Sequence, residues 1–258
     1  SAQLDYEVHV EYRGIPQSFK GTLAWQHDGE RYRLHMAIGM AFLGTRVQLS
    51  EGRLGAHGLH PLRFSEKTRS ERAAHFDEAG GRIRYSANSP DAPLLPGHQD
   101  RLSVFFQLAG LVHARPERFA AGQTIHIPTS GVRDSETWTF EIKGMETIAL
   151  PKGDIAALHL RRLPRKEFDT TVDLWLAPAQ GHLPVLIRRR FLTEDLRDAL
   201  PDQRRFRCLA RLDLAARKLP QAGQFLALGP LGDQHPAVRV HQRHGDDEDG
   251  FHTLAHER

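Results

Sequence analysis

The chain has 258 residues, of which 40% are hydrophobic and 26% charged, an ordinary balance for a globular protein with enough apolar material for a core. Lys and Arg number 35 against 32 Asp and Glu, a net charge of +3. The basic residues are scattered through the predicted strands and do not form the basic stripe expected of a nucleic-acid binder. The single cysteine, Cys208, excludes an intrachain disulfide and a cysteine-based zinc site.

The start of the chain carries no basic-then-apolar leader, and no apolar run approaches the roughly 18 residues that a membrane-spanning helix needs. We therefore expect no transmembrane segment. Ser1 is not a natural initiator, and a strand pattern begins at Leu4. Removal of an export leader would produce such a start, and so would engineering of the chain at its beginning.

The first segment alternates apolar and polar residues over positions 4–12, which predicts a strand with one buried and one wet face. A turn at Gly14-Ile15-Pro16 leads to a second strand, and Asp28-Gly29 predicts a hairpin before the alternating run at 32–40. Further strands are predicted at 45–49, 82–86, 124–127, 138–142, 155–160, 172–176 and 183–187. Short strands punctuated by Gly and Pro predict a mainly β fold, an antiparallel meander curved into a barrel or half-barrel.

One segment, at about residues 101–113, breaks the alternation because it is apolar on almost every side over about three turns. Pro116 follows and ends it. A helix this apolar must be buried, and in a β protein the natural place is the concave face of the sheet. The sequence therefore predicts one buried helix.

The character of the chain changes after about Arg188, where alternation disappears and arginine and histidine accumulate. We predict a β domain over residues 1–188 and a divergent, partly disordered C-terminal extension over 189–258. Within the extension, a helix at 191–200 and a strand at 206–214 are predicted, with a poorly ordered tail beyond Gln221. The extension is either a genuine addition or the product of an out-of-frame reading of a GC-rich sequence.

Asp100 and Ser103 are the first candidates for chemistry. Together with His98 they could form part of a hydrolytic site, but the Gly-x-Ser-x-Gly motif that positions a nucleophilic serine is missing. Asp is also a preferred residue for accepting the free amides at the start of a helix. We favour this structural role for Asp100, with Ser103 in the first turn.

Histidines are the next candidates, as metal ligands. His57, His60 and His75 form no ligand triad, and His57-x-x-His60 looks like a turn because of Gly58 and Pro61. Five histidines and an acidic run at 246–249 near the C-terminus could hold Zn²⁺ or Ni²⁺ loosely, or could belong to an unstructured tail. No phosphate-binding glycine loop is present. We predict neither a metal site nor a cofactor.

Aromatic and methionine side chains near the predicted helix and hairpin could line a cavity that accepts a lipid. Those chosen as ligand-binding candidates, with Phe42 beside them, are Trp25, Met36, Met40, Phe105 and Phe106. The same side chains could instead fill a dry core, as buried aromatics usually do. Both interpretations stay open from the sequence.

Several short motifs together resemble the DUF3108 family of exported bacterial proteins of unassigned function. The resemblance covers roughly residues 4–188, and its most specific pieces are Gln99-Asp100-x-Leu102-Ser103 and Leu174-Trp175-Leu176 followed by Leu183-Pro184-Val185. Other pieces are Leu4-Asp5-Tyr6-Glu7-Val8, Trp25 with Asp28-Gly29, and Ser50-Glu51-Gly52. The resemblance implies a periplasmic or envelope location and a mostly β fold of the kind found in lipoprotein-carrier half-barrels. It implies no catalytic residue.

These observations favour a non-enzymatic periplasmic protein of the cell envelope that binds or carries an apolar, lipid-like component. The alternative is a structural module whose sheet edge or outer face docks another envelope protein. A hydrolase is the third hypothesis, disfavoured because no catalytic motif is present.

Overall fold

The computed structural model describes residues 1–12, 15–40, 44–165, 169–192, 209–218 and 240–241. Its first half contains nine strands: β1 (Ala2–Tyr12), β2 (Ile15–His27), β3 (Arg31–Met40), β4 (Gly44–Gly55), β5 (Gly58–Lys67), β6 (Glu71–Asp77), β7 (Arg82–Tyr85), β8 (Ala92–Pro93) and β9 (Gln99–Asp100). Helix α1 (Ser103–Ala114) follows, and a 3₁₀ turn spans Pro116–Arg118. The remaining strands are β10 (Thr124–Ser130), β11 (Ser135–Leu150), β12 (Gly153–Arg162), β13 (Thr171–Ala177), β14 (Leu183–Leu192), β15 (Leu209–Lys218) and β16 (Val240–His241), with a second 3₁₀ turn at Pro178–Gln180.

All of these strands belong to one sheet. Along the sheet the order is β16, β10 to β15 in sequence, then β1 to β8 in sequence, and every neighbouring pair is antiparallel. The predicted antiparallel meander, curved into a half-barrel around one helix, is confirmed. Within β1 to β8 and within β10 to β15 each strand lies beside its neighbour in the chain, because short turns favour hairpins. The pairings of β15 with β1, of β16 with β10 and of β9 with β10 join strands that are not neighbours in the chain.

The ends of this sheet approach each other through strand β9. Gln99 and Asp100 pair in parallel with Thr129 and Ser130 of β10, and the Gln99 side-chain amide donates to the Leu59 carbonyl of β5 over 2.8 Å. Next to this contact, the Tyr85 hydroxyl of β7 lies 3.0 Å from that of Ser130. We call this closure the seam.

Helix α1 packs inside the curve, against β5, β9 and β14. Its first ten residues are all buried, as the predicted all-apolar segment requires. Gln107 anchors the helix to the β4–β5 turn, since its side chain accepts from the Leu59 amide (2.8 Å) and donates to the His57 carbonyl (3.0 Å). Gly58 makes this approach possible because it has a φ of 102°, and a Cβ there would meet the Gln107 amide at 2.2 Å.

Three sequence predictions need correction or completion. Strands β5 and β6 were not predicted. In β5 a bulge opposite Glu51 and Gly52 leaves Leu62 as an extra residue and interrupts the alternation, and in β6 the consecutive residues Ala73 and Ala74 are both buried. The helix predicted at 191–200 is wrong at its start, because Phe191 and Leu192 continue β14 and pair with β15. Phe42, Cys208, residues 193–200 and most of the predicted tail lie outside the described residues.

Candidate functional site

The seam holds a buried network of polar groups centred on Asp100. Its Oδ1 atom accepts from the amides of Leu102 (2.8 Å) and Ser103 (2.7 Å), just where the helix begins. The Ser103 hydroxyl in turn accepts from the Asp100 amide over 2.9 Å. The carboxylate therefore satisfies amides that a helix start leaves without partners.

The second carboxylate oxygen of Asp100 connects the helix start to the opposite wall. The Ser50 hydroxyl donates to Oδ2 over 2.5 Å, and the Tyr32 hydroxyl lies 3.1 Å from Ser50. Burial raises the pKa of Asp100 to about 6, although the hydrogen bonds from Ser50 and the helix amides oppose this rise. Asp100 is thus fully engaged in joining α1 to strand β4.

His98 does not supply the base that a hydrolytic site would need here. Its Nδ1 accepts from the Leu95 amide (3.2 Å), so the neutral ring carries its proton on Nε2, which lies 2.8 Å from the Ser135 hydroxyl. Burial lowers the pKa of His98 to about 4, which keeps the ring neutral. Both nitrogens are engaged by partners other than Ser103, and the hydrolase hypothesis gains no support from this geometry.

The predicted ligand-binding residues are placed in two different environments. The Trp25 ring stacks on Phe106 at 5.3 Å between centroids and on Tyr32 at 5.7 Å. Phe105 is buried as well, so the structure places both helix phenylalanines within the core. The backbone of Met40 lies in β3, but its side chain is outside the described residues.

Met36 lies elsewhere, on the inner face of β3, where the sheet changes from apolar to polar. Directly paired residues of neighbouring strands point to the same face. One such row of pairs runs through Leu4, Leu23, Met36, Gln48, Glu66 and Arg72. Half of the row is hydrocarbon and half is polar, all on the concave side of the sheet.

A set of arginines surrounds Glu66 at this end of the inner face, and we call it the inner arginine cluster: Arg46, Arg72, Arg101 and Arg189. Glu66 accepts from Gln48 (2.7 Å) and from Arg46 (3.3 Å), and it faces Arg72 across the β5–β6 pair. Burial raises the pKa of Glu66, but the charges of Arg46, Arg101 and Arg189 outweigh burial and hold that pKa below its usual range.

The inner arginine cluster was not found from the sequence. Its members come from four separate segments, so nothing in their spacing links them. The one available signal was the alternation of side chains along β4, which places Arg46 and Gln48 on the same face as the buried Ser50. Within the described ranges, no group of three or more His, Cys, Asp or Glu side chains is placed to hold a metal ion.

Together, the fold and this site define a barrel-like antiparallel β protein with one buried helix and an inner face that is apolar at one side and cationic at the other. The chain belongs to the DUF3108 family, whose description is "Protein of unknown function". The family model matches residues 5–194. None of the described helices has the length and apolar character to cross a membrane.

Several solved structures are similar to this chain at low sequence identity. A beta-barrel-like DUF1849 protein from Brucella abortus is 10% identical, with a TM-score of 0.48, and the match covers 83% of this chain and 94% of that one. A putative outer membrane lipoprotein-sorting protein domain from Vibrio parahaemolyticus is 8% identical, with a TM-score of 0.27 and coverages of 87% and 86%. A DUF1329 family protein from Desulfovibrio piger is 10% identical, with a TM-score of 0.25 and coverages of 90% and 90%. No curated protein matches the chain.

Proposed function

We propose that this protein is a non-enzymatic periplasmic protein that binds a lipid-like component of the bacterial cell envelope on the inner face of its sheet. The periplasmic location is the one that the resemblance to DUF3108 implies. The observation that carries the binding proposal is a gradient of accessibility along β3. Leu34 is 0% exposed, Met36 6% and Ile38 8%, so all three are buried and their exposed fraction rises slightly towards the inner arginine cluster.

This gradient moves the proposed site away from the helix aromatics. Trp25 and Phe106 stack on each other and are covered by the chain itself. On the neighbouring strand β2, Leu23 is buried, whereas Phe19, two pairs farther along the same face, is half-buried. An acyl chain lying along Phe19, Met36 and Ile38 would gain about 0.8 kcal/mol for each methylene taken out of water.

The test is a titration of the delipidated protein with an uncharged dye that fluoresces in apolar surroundings, N-phenyl-1-naphthylamine. We expect saturable binding, weakened about fivefold by Met36→Gln, a change of similar volume that places a polar amide between Phe19 and Ile38 on the inner face. Met145→Gln is the matched control, since Met145 is 56% exposed and its change should leave the affinity unaltered.

Thermal unfolding of each variant separates lost binding from lost folding. A parent protein that gives no saturable dye signal, or a Met36→Gln variant that stays folded and binds like the parent, would refute the binding site. Fractionation of the source bacterium tests the location, and recovery of the protein in the cytoplasmic fraction would contradict it. The docking of an envelope protein stays a prediction.

A further inference from the structure

We propose that His113 and His182 bind a Zn²⁺ ion at the C-terminal end of helix α1. The two residues lie 69 positions apart in the chain, so no spacing in the sequence links them, yet their Nδ1 atoms are 3.2 Å from each other. Imidazole nitrogens are ligands that Zn²⁺ prefers. This inference goes beyond lipid binding and does not depend on it.

The first support is the distance between the two nitrogens. Zinc binds imidazole nitrogens at about 2.0–2.1 Å in tetrahedral geometry, which separates two such ligands by about 3.3 Å. The Nδ1 atoms of His113 and His182 already have this separation, and their rings are inclined at 62° to each other. Both nitrogens can therefore reach one ion through rotation of the rings, without movement of the backbone.

The same distance also fits a hydrogen bond between the two rings, in which one Nδ1 donates to the other. Metal binding needs the lone pair of both Nδ1 atoms, so the donating ring must then carry its proton on Nε2. The two arrangements of the pair thus differ in the position of a ring proton. That difference can be measured.

The second support is the backbone of His182, which directly follows the 3₁₀ turn and Gly181. Its φ is 59°, in the left-handed region, and no other non-glycine residue in the described part of the chain has a positive φ. The His182 amide donates to the Ala177 carbonyl over 2.8 Å, and the residue is buried. Such conformations persist where the surroundings hold them and are frequent at binding sites. The fold therefore fixes His182 against the end of the helix.

The third support is the position of His113 in the last turn of α1. His113 is exposed whereas His182 is buried, so water and ions can reach the pair from the side of His113. The carbonyl groups at the C-terminal end of a helix carry a partial negative charge, which favours a cation. Two histidines leave two positions of a tetrahedral ion for water. The geometry fits an open site with two protein ligands.

The experiment follows the histidine rings of the full-length protein by long-range ¹H–¹⁵N NMR. The protein is treated with a chelator, carries no affinity tag and is titrated with ZnCl₂. One equivalent should shift the Nδ1 signals of His113 and His182 together and leave the ring proton of each on Nε2. Because each ring is observed separately, the response of this pair is distinguished from that of the histidines near the C-terminus.

Two variants test whether the rings act together. His113→Gln and His182→Asn should each weaken Zn²⁺ binding by the remaining ring about tenfold or more, since a single imidazole lacks the second attachment. Glutamine suits a helix, and asparagine tolerates a left-handed backbone, so both variants should fold. His75→Gln is the matched control, because His75 is an exposed histidine of β6 and its loss should not change the response of the pair.

Two results would overturn the inference. Either both Nδ1 signals stay unchanged on addition of Zn²⁺, or His182 responds in the His113→Gln variant as it does in the parent. In both cases the rings form only a hydrogen bond. The dye titration of the proposed lipid site uses neither histidine, so failure of the zinc site leaves the proposed function standing, and a protein that binds zinc but no dye would refute only the latter.

Discussion

At the scale of single residues, Asp100 shows how one side chain serves both local and long-range structure. Its Oδ1 accepts the amides of Leu102 and Ser103, as a helix start requires, while Oδ2 accepts the hydroxyl of Ser50 from a strand fifty residues earlier. The sequence motif around it shows the first role. The second depends on the curvature that brings β4 to the seam.

Replacing Asp100 with alanine should lower the free energy of unfolding by about 2 to 3 kcal/mol. The change removes a helix cap and leaves the Ser50 hydroxyl buried without its acceptor. Asp100→Asn keeps the shape and an acceptor oxygen, so it should cost less. Urea unfolding of both variants at pH 5 measures the difference, and an alanine variant as stable as the parent would contradict the capping role.

The difference in stability between the parent and the Asp100→Asn variant should depend on pH. Burial raises the pKa of Asp100 to about 6, above the ordinary value of 3.8, so the folded state holds the proton more tightly than the unfolded chain does. The resulting stabilisation is complete below pH 3.8 and is lost as the pH rises through 6. Relative to Asp100→Asn, the parent should lose up to about 3 kcal/mol of stability between pH 4 and pH 7. A difference that stays constant over this range would show that Asp100 keeps an ordinary pKa.

At the scale of elements, the relation of α1 to the first hairpin decides which aromatic side chains can meet a ligand. Consecutive helix positions are about 100° apart, so Phe105 and Phe106 cannot face the same strand. Phe106 faces Trp25 of β2, and Phe105 is nevertheless buried. Of the chain just upstream of the helix, Ala92 and Leu94 pack against the core, which agrees with a loop covering part of the helix.

We expect Trp25 and Phe106 to be coupled in stability. A double-mutant cycle with Trp25→Leu and Phe106→Leu should give an interaction energy of about 1 kcal/mol, because the two rings stack at 5.3 Å in addition to burying area. The free energies come from urea unfolding of the four proteins. Leu62→Ala, at a 39% exposed position, is a control and should cost less than about 1 kcal/mol. Additive effects would mean that the rings do not contact each other in solution.

At the scale of the whole molecule, the strand that joins the two halves of the sheet comes from beyond the family match. The match ends at residue 194, yet β15 (Leu209–Lys218) pairs with β14 on one side and with β1 on the other. Without β15, the inner edge strands β1 and β14 would each expose unpaired amides and carbonyls. The predicted boundary at residue 188 stays a prediction, but at least this strand of the extension belongs to the sheet.

Two truncated chains test this arrangement. A chain ending at residue 221 keeps β15 and should fold with a melting temperature within a few degrees of the parent, because among the described residues it loses only the two-residue pairing of β16 with β10. A chain ending at residue 194 should aggregate or unfold several degrees lower, since it loses both pairings of β15. Circular dichroism melting and size-exclusion chromatography measure the outcome. Equal stability of the two chains would contradict a structural role for β15.

The sequence alone determined the elements whose signals are local. Alternation along 4–12 and 32–40 identified strands, the all-apolar run near 101–113 identified the one α-helix of the described residues, and Gln99-Asp100-x-Leu102-Ser103 pointed to the family. Each of these signals depends on residues within one turn or one strand, where side-chain direction follows directly from backbone geometry. Strands β5 and β6 were missed because a bulge interrupts the alternation of β5 and because β6 buries two consecutive alanines, Ala73 and Ala74.

Only the tertiary structure decided which polar residues meet. Val47 and Leu49 make the apolar half of the β4 pattern, yet the pairing of β4 with β3 turns Arg46 and Gln48 to the inside. Register is set by both neighbouring strands and the bulge, and a shift of one residue exchanges the two faces of a strand. Arg46, Glu66, Arg101 and Arg189 lie up to 143 residues apart in the chain and come together because the curved sheet brings distant strands around one interior.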